Sequence, residues 1–213
     1  MLEKITKWFG DRQLFNNLSF EIEEGGIVCI VGPSGSGKST LLRLIMGMEP
    51  PTQGRVLFMG KDVYRLKPGS RAYLRRNIGI IFQDFRLVPF LTAWQNVELP
   101  LRAIGMPKPQ INAKVQNALN AVGISEQSGM YPATLSGGEQ QRVAVARVMA
   151  MEPVVVLADE PFGNLDKAAA RLVMQELLAL NKRGAALVVA THDMDTAKEM
   201  KAGVLNLSKG ASK

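Results

Sequence analysis

Cysteine and histidine are nearly missing from this chain, with Cys29 and His192 the sole examples among 213 residues. One thiol cannot close an internal disulfide. It lies in the apolar run Ile27-Val28-Cys29-Ile30-Val31 and reads as a buried, inert side chain. No run approaches the roughly 18 apolar residues that a membrane span requires, and Met1-Leu2-Glu3-Lys4 has no apolar signal core. Repeats, low-complexity tracts and long linkers are also missing. Zinc-finger spacing and RNA-binding aromatic pairs do not occur, so no nucleic-acid partner is expected. These absences point to one soluble, cytosolic domain.

The content that remains is ordinary for a globular core, 46% hydrophobic and 21% charged, which excludes disorder. The formal charge of +7 and pI near 9.7 admit an anionic partner. The densest cluster, Arg71, Arg75 and Arg76, is interrupted by Ala72, Tyr73 and Leu74 and reads as one amphipathic helix with a solvated basic face.

Ile27–Val31, Val154–Ala158 and Leu187–Ala190 are short apolar runs rich in β-branched residues, the pattern of strands covered on both faces. Helical stretches alternate with them: 39–48, 139–151 ending before Pro153, and 167–180 after the N-cap candidate Asp166. The alternation predicts an α/β class with a mostly parallel core sheet. Residues 2–58 hold several strands in succession and predict an antiparallel β subdomain. The stretch after Gln83 is helix-rich, bounded by Pro89, Pro107, Pro109 and Pro132, and reads as an inserted helical subdomain. The expected division is an α/β core with the β subdomain, 1–82 and 153–213, around a helical subdomain, 83–152.

Gly32-Pro33-Ser34-Gly35-Ser36-Gly37-Lys38-Ser39-Thr40 contains the phosphate-loop pattern G-x-x-x-x-G-K-[ST] in full, between a predicted strand and a predicted helix. A chance match in a chain of this length has odds of roughly one in a hundred. The glycines let successive backbone N–H groups face a phosphate, and the helix N-terminus adds its positive end. Lys38 supplies a mobile charge for the β- and γ-phosphates. Ser39 can place its hydroxyl on Mg²⁺, which takes a few protein oxygens together with phosphates and water. Val154 to Ala158 runs into Asp159 and Glu160, placing both carboxylates at a strand's C-terminal end, where open α/β sheets bind ligands. Asp159 is the candidate Mg²⁺ holder. Glu160 is the candidate base that polarises water for attack on the γ-phosphate.

Leu135-Ser136-Gly137-Gly138-Glu139-Gln140 resembles the signature motif of the ABC ATPases, and the resemblance extends over essentially the whole chain. It implies a P-loop NTPase fold of ABC type. It also implies a homodimer with ATP at the interface, in which Ser136, Gly137 and Gly138 of one chain face the γ-phosphate held by the other. Phe9 matches the adenine-stacking aromatic, with Trp8 as the fallback. Gln83 matches the glutamine that senses Mg²⁺ and the attacking water. Asn164-Leu165-Asp166 matches the loop that touches the partner subunit, and His192 the switch histidine at the γ-phosphate.

Ala158-Asp159-Glu160-Pro161-Phe162-Gly163-Asn164-Leu165-Asp166 is similar to a branch of the family that serves lipoprotein release, macrolide export and cell division. Phe162 departs from the branch's usual Thr. Phe82-Gln83-Asp84-Phe85-Arg86-Leu87 leans toward the cell-division members, whereas Asn96-Val97-Glu98-Leu99-Pro100-Leu101 leans toward the exporters. The resemblance implies a separate integral membrane, permease-like subunit, received by the apolar stretch Phe85 to Trp94, and hence a peripheral place on the inner face of the cell membrane. A soluble ATPase acting on DNA or ribosomes and a regulatory scaffold stay open as other uses of the same fold.

Overall fold

A computed structural model describes residues 1–163 and 165–207. In chain order these form β1 (Leu2–Phe9), β2 (Arg12–Phe20), β3 (Ile27–Val31), α1 (Lys38–Ile45), β4 (Gln53–Phe58), β5 (Lys61–Asp62), α2 (Pro68–Arg76), β6 (Ile78–Ile81) and α3 (Ala93–Ala103). The chain continues with α4 (Lys108–Ala121), α5 (Gly137–Met151), β7 (Val155–Asp159), α6 (Lys167–Lys182), β8 (Ala186–Thr191), α7 (Met194–Glu199) and β9 (Gly203–Asn206). The strands make two sheets. One is parallel throughout, in the order β6-β7-β8-β3-β9. The other is antiparallel, in the order β2-β1-β4-β5.

The apolar runs of β3, β7 and β8 are continuous because both faces of the parallel sheet are covered. Side chains alternate across a strand. Leu187 and Val189 enter a layer with α3, α4, α5 and α6, while Val188 and Ala190 enter a second layer with α1 and the antiparallel sheet. Cys29 is fully buried in the first layer, and burial raises its thiol pKa to about 11, so it stays protonated and unreactive. Parallel order also stacks the C-terminal ends of β3, β6, β7 and β8 along one edge. The residues that follow those ends are Gly32, Phe82-Gln83, Glu160 and His192.

Several boundaries differ from the sequence expectations for physical reasons. The β7 strand is shifted one residue onward, to Val155–Asp159, with Val154 left exposed. Helix α1 starts at Lys38 and ends at Ile45, closed by Gly47 in the left-handed region at φ +68°. Helix α5 starts at Gly137, so both signature glycines are inside its first turn. Neither α7 nor β9 was expected. In α2 the basic face is only partly free: Arg71 donates to the carbonyls of Tyr64 and Leu66, and Arg75 to those of Met46 and Gly47. Two of the three clustered arginines therefore cap neighbouring backbone.

Candidate functional site

The strand-to-helix turn at Gly32–Thr40 is set by close approach. A side chain at Gly32 would place its Cβ 2.6 Å from both the Leu207 carbonyl oxygen and Ser36 Oγ. Gly37, the N-cap of α1, has φ +101°, and a Cβ there would lie 2.9 Å from the Phe15 ring and 3.0 Å from the Leu14 side chain. No side chain caps α1, so the N–H groups of its first turn are left for a ligand. Lys38 is buried; its Nζ donates to the Gly32 carbonyl at 2.7 Å and to that of Pro33 at 3.3 Å. It also stands 3.7 Å from Glu160 Oε1.

The two carboxylates after β7 face different partners. Asp159 lies beside the Ser39 hydroxyl in the cavity wall. Its carboxyl titrates above the usual aspartate range, chiefly because burial penalises the charge; the Ser39 hydroxyl opposes this and Glu160 adds to it. Glu160 has a left-handed backbone, φ +47°, and its N–H donates to the Ala190 carbonyl on β8. That bend aims its side chain at Lys38 and at His192, whose Nδ1 lies 3.1 Å from both carboxylate oxygens. His192 is largely exposed, while Glu160 is mostly covered.

Phe9, Ser34, Gly35, Gly37, Lys38, Ser39, Thr40, Gln83, Asp159, Glu160 and His192 line one cavity of about 730 Å³. Trp8 is not among its lining residues, which favours Phe9 as the aromatic wall. The Lys7 ammonium lies 4.8 Å from the Phe9 ring centroid. Arg12 also lines the cavity, donating to the Gly35 carbonyl at 3.2 Å. Sequence reasoning missed Arg12; it becomes visible only through its register opposite Phe9 on β1.

Ser136, Gly137 and Gly138 are not brought to this cavity. They form the N-terminus of α5, with Ser136 and Gly137 exposed. Ser136 Oγ accepts from the Glu139 N–H at 3.3 Å, and Glu139 Oε2 accepts from the Ser136 N–H at 2.8 Å and from its hydroxyl at 2.7 Å. These bonds make a reciprocal capping box and hold the Glu139 carboxyl below its ordinary range. Helix α5 also grips two loops beside the cavity. Gln141 donates to the Pro161 carbonyl at 2.9 Å, and Arg147 donates to the carbonyls of Phe85 and Arg86, each at 2.8 Å. Asp166 caps α6 by accepting from the Ala169 N–H at 2.8 Å. Asn164 of the expected partner loop lies outside the described residues.

Among the described residues, no cluster of three or more His, Cys, Asp or Glu side chains could hold a metal by itself. The adjacent Ser39 hydroxyl and Asp159 carboxylate are a donor pair that suits Mg²⁺, which completes its shell with phosphate and water oxygens.

A glycine-lined anion cradle at the end of a parallel strand, a buried lysine over it and paired carboxylates on the neighbouring strand define a nucleoside-triphosphate-hydrolysing class of protein. The family described as ABC transporter matches residues 15–163. The cell division ATP-binding protein FtsE of Escherichia coli is 40% identical over 209 residues, 98% of this chain and 94% of that protein. The FtsE of Bacillus subtilis is 42% identical over 92% of this chain and 86% of its own length. The dimeric structure of a bacterial ABC transporter cassette superposes with a TM-score of 0.90 at 37% identity, covering 97% of this chain and 93% of that one. A post-hydrolysis dimeric cassette bound to ADP and Pi gives 0.88 at 36% identity, covering 96% and 92%. The chain belongs to the ABC transporter family and is one of its ATP-binding, ATP-hydrolysing subunits.

Proposed function

We propose that this chain works as a nucleotide-gated homodimer that drives a conformational change in a separate, permease-like membrane subunit. The observation that carries the reading is spatial. The phosphate loop, Asp159, Glu160, Gln83, His192 and Phe9 share one cavity, while Ser136 and Gly137 stand exposed elsewhere with Gly138 half-buried beside them. A second copy placed head to tail would bring its α5 N-terminus to the γ-phosphate of the first. The dimeric cassettes that resemble this chain support that arrangement.

Within the site, Phe9 stacks on adenine and residues 32–40 wrap the phosphates. Lys38 leaves its own loop carbonyls for the β- and γ-phosphates. Ser39, Asp159 and, at its edge, Gln83 would hold Mg²⁺, which when bound draws charge from the phosphate oxygens. Glu160 orients the attacking water and accepts its proton. His192 holds the Glu160 carboxylate in place and reaches the γ-phosphate from its exposed side. Closing the dimer gains contacts to the γ-phosphate; hydrolysis removes them and the dimer opens. Residues 83–152 move as a helical subdomain against the rest.

No helix among the described residues is long and apolar enough to cross a membrane. The segment 85–94 bears Phe90, three-quarters exposed, and this apolar stretch supports docking of a helix from the membrane subunit. Near-full-length similarity to FtsE favours a cell-division role. The Asn96 to Leu101 stretch keeps lipoprotein release or export as the second reading.

The test of the composite site is complementation. Lys38→Ala and Gly137→Asp chains should each be nearly inactive alone. Mixed with ATP, they should regain roughly a quarter to a half of wild-type turnover, because the heterodimer holds one intact site. No recovery on mixing, with both variants folded, would reject the head-to-tail arrangement. Co-purification of a membrane protein with a large extracellular loop and no substrate path would favour the cell-division reading over export.

A further inference from the structure

The turn after β6 is held in an unfavourable shape. Phe85 and Arg86, neither of them glycine, lie consecutively in the left-handed region at φ +57° and +47°. Each such residue costs roughly 1 kcal/mol or more, and persists only where its surroundings fix it. The turn closes on itself through the Phe85 N–H to the Phe82 carbonyl at 3.1 Å. Arg86 folds back over the Phe82 ring, 4.0 Å from its centroid. Its last restraint comes from far away in sequence. Arg147 on α5 sends one guanidinium nitrogen to the Phe85 carbonyl and another to the Arg86 carbonyl, both at 2.8 Å.

A planar guanidinium with a rigid fork of donors fixes two adjacent carbonyls better than a flexible ammonium does. The far end of the segment is anchored separately. Asn96, fully buried, accepts from the Val88 N–H and donates to the carbonyls of Val88, Leu91 and Thr92. The stretch from Gln83 to Thr92 is therefore pinned at both ends, by Arg147 beside the cavity and by Asn96 at the start of α3. Arg147 stands eleven positions after Ser136 on one unbroken helix, a span of about 16 Å. A shift of the α5 N-terminus is thus carried to the carbonyls two and three residues beyond Gln83.

We infer that Arg147 is a positioning residue for hydrolysis, a clamp that ties the reach of Gln83 into the cavity to the placement of the helix bearing Ser136. The inference rests on the reading of Gln83 given above. A guanidinium that only held the loop for stability would lower the melting temperature without a selective effect on turnover.

The experiment compares Arg147→Lys, Gln83→Ala and the double variant as purified full chains, measuring kcat and KM for Mg·ATP and the melting temperature. Arg147→Lys keeps the charge and loses the fork. It should lower kcat roughly 10- to 100-fold, the scale of a small misplacement in a catalytic site, with KM within about twofold of wild type. The double variant should be no slower than the slower single one. Wild-type kcat in Arg147→Lys overturns the inference, as does a double variant in which the two losses multiply while Gln83→Ala alone is impaired. If Gln83→Ala turns over normally, the reading of Gln83 falls first and the clamp falls with it.

Discussion

Two helices in this molecule offer an N-terminus to an anion, and they do so differently. Helix α1 has no side-chain cap, a glycine at its N-cap and a buried lysine as its first residue, all facing the nucleotide-sized cavity. Helix α5 is already capped by Ser136, and the Glu139 carboxylate occupies its first turn on an exposed surface. An isolated phosphate approaching α5 meets a carboxylate; one approaching α1 meets N–H groups and an ammonium. The first helix end can capture a nucleotide unaided. The second can only add contacts to a phosphate held by something else, the division of labour that a two-copy site requires.

The strongest way to separate capture from turnover lies at Glu160. Glu160→Gln keeps the shape of the cavity and removes the carboxylate proposed to accept the water's proton. Turnover should fall at least roughly 10²-fold. Nucleotide titration should give near wild-type affinity, and size-exclusion with ATP should give a long-lived dimer. Wild-type turnover in this variant would remove Glu160 from the mechanism and assign the water's proton to another group.

Matched glycine substitutions test the two helix ends directly. Gly32→Ala forces a Cβ to 2.6 Å from Leu207 O and Ser36 Oγ, so the loop itself must shift and nucleotide affinity should fall by roughly tenfold or more. Gly137→Ala meets nothing within 4 Å. The monomer should keep its melting temperature and its nucleotide affinity, while ATP-driven dimerisation and turnover weaken by about tenfold, the scale of one lost contact of 1.4 kcal/mol. Equal losses of nucleotide affinity at both positions would erase the distinction between the two ends.

The contrast also marks what could be read in advance. The phosphate loop, Asp159 and Glu160 are legible because strand, turn and helix follow one another, so the chemistry is local in sequence. The β3, β7 and β8 strands announce themselves as apolar runs because both faces are buried. The short edge strand β9 gives no such signal: Gly203, Val204 and Asn206 are exposed, and only pairing with β3 defines it. Arg147 lies 62 residues from Phe85 and 61 from Arg86, and Arg12 acts through its register beside Phe9. Neither has a local pattern to betray it. Residues that depend on tertiary register are where sequence reasoning ran out.

The smallest expected effect concerns what capture costs the fold. Asp159 is held next to Ser39 at the expense of its solvation, and its carboxyl therefore titrates above the ordinary aspartate range. The folded state binds this proton more tightly than the unfolded chain does. Stability from the group is fully present below the unfolded pKa of about 3.9 and is lost as pH rises through the folded value. At pH 7 the ionised side chain is a burden on the nucleotide-free protein. Asp159→Asn has nearly the same shape and no charge, and keeps an oxygen acceptor beside Ser39. Without nucleotide or Mg²⁺ it should melt about 1–3 °C higher than wild type at pH 7, with the gap closing as pH falls toward 4, while Mg·ATP turnover is lost. A lower melting temperature for Asp159→Asn would mean that Lys38 and Arg43, which also act on this carboxylate, outweigh its burial. The capturing half of the site would then be built from mutually stabilising charges, with no stability given up for function.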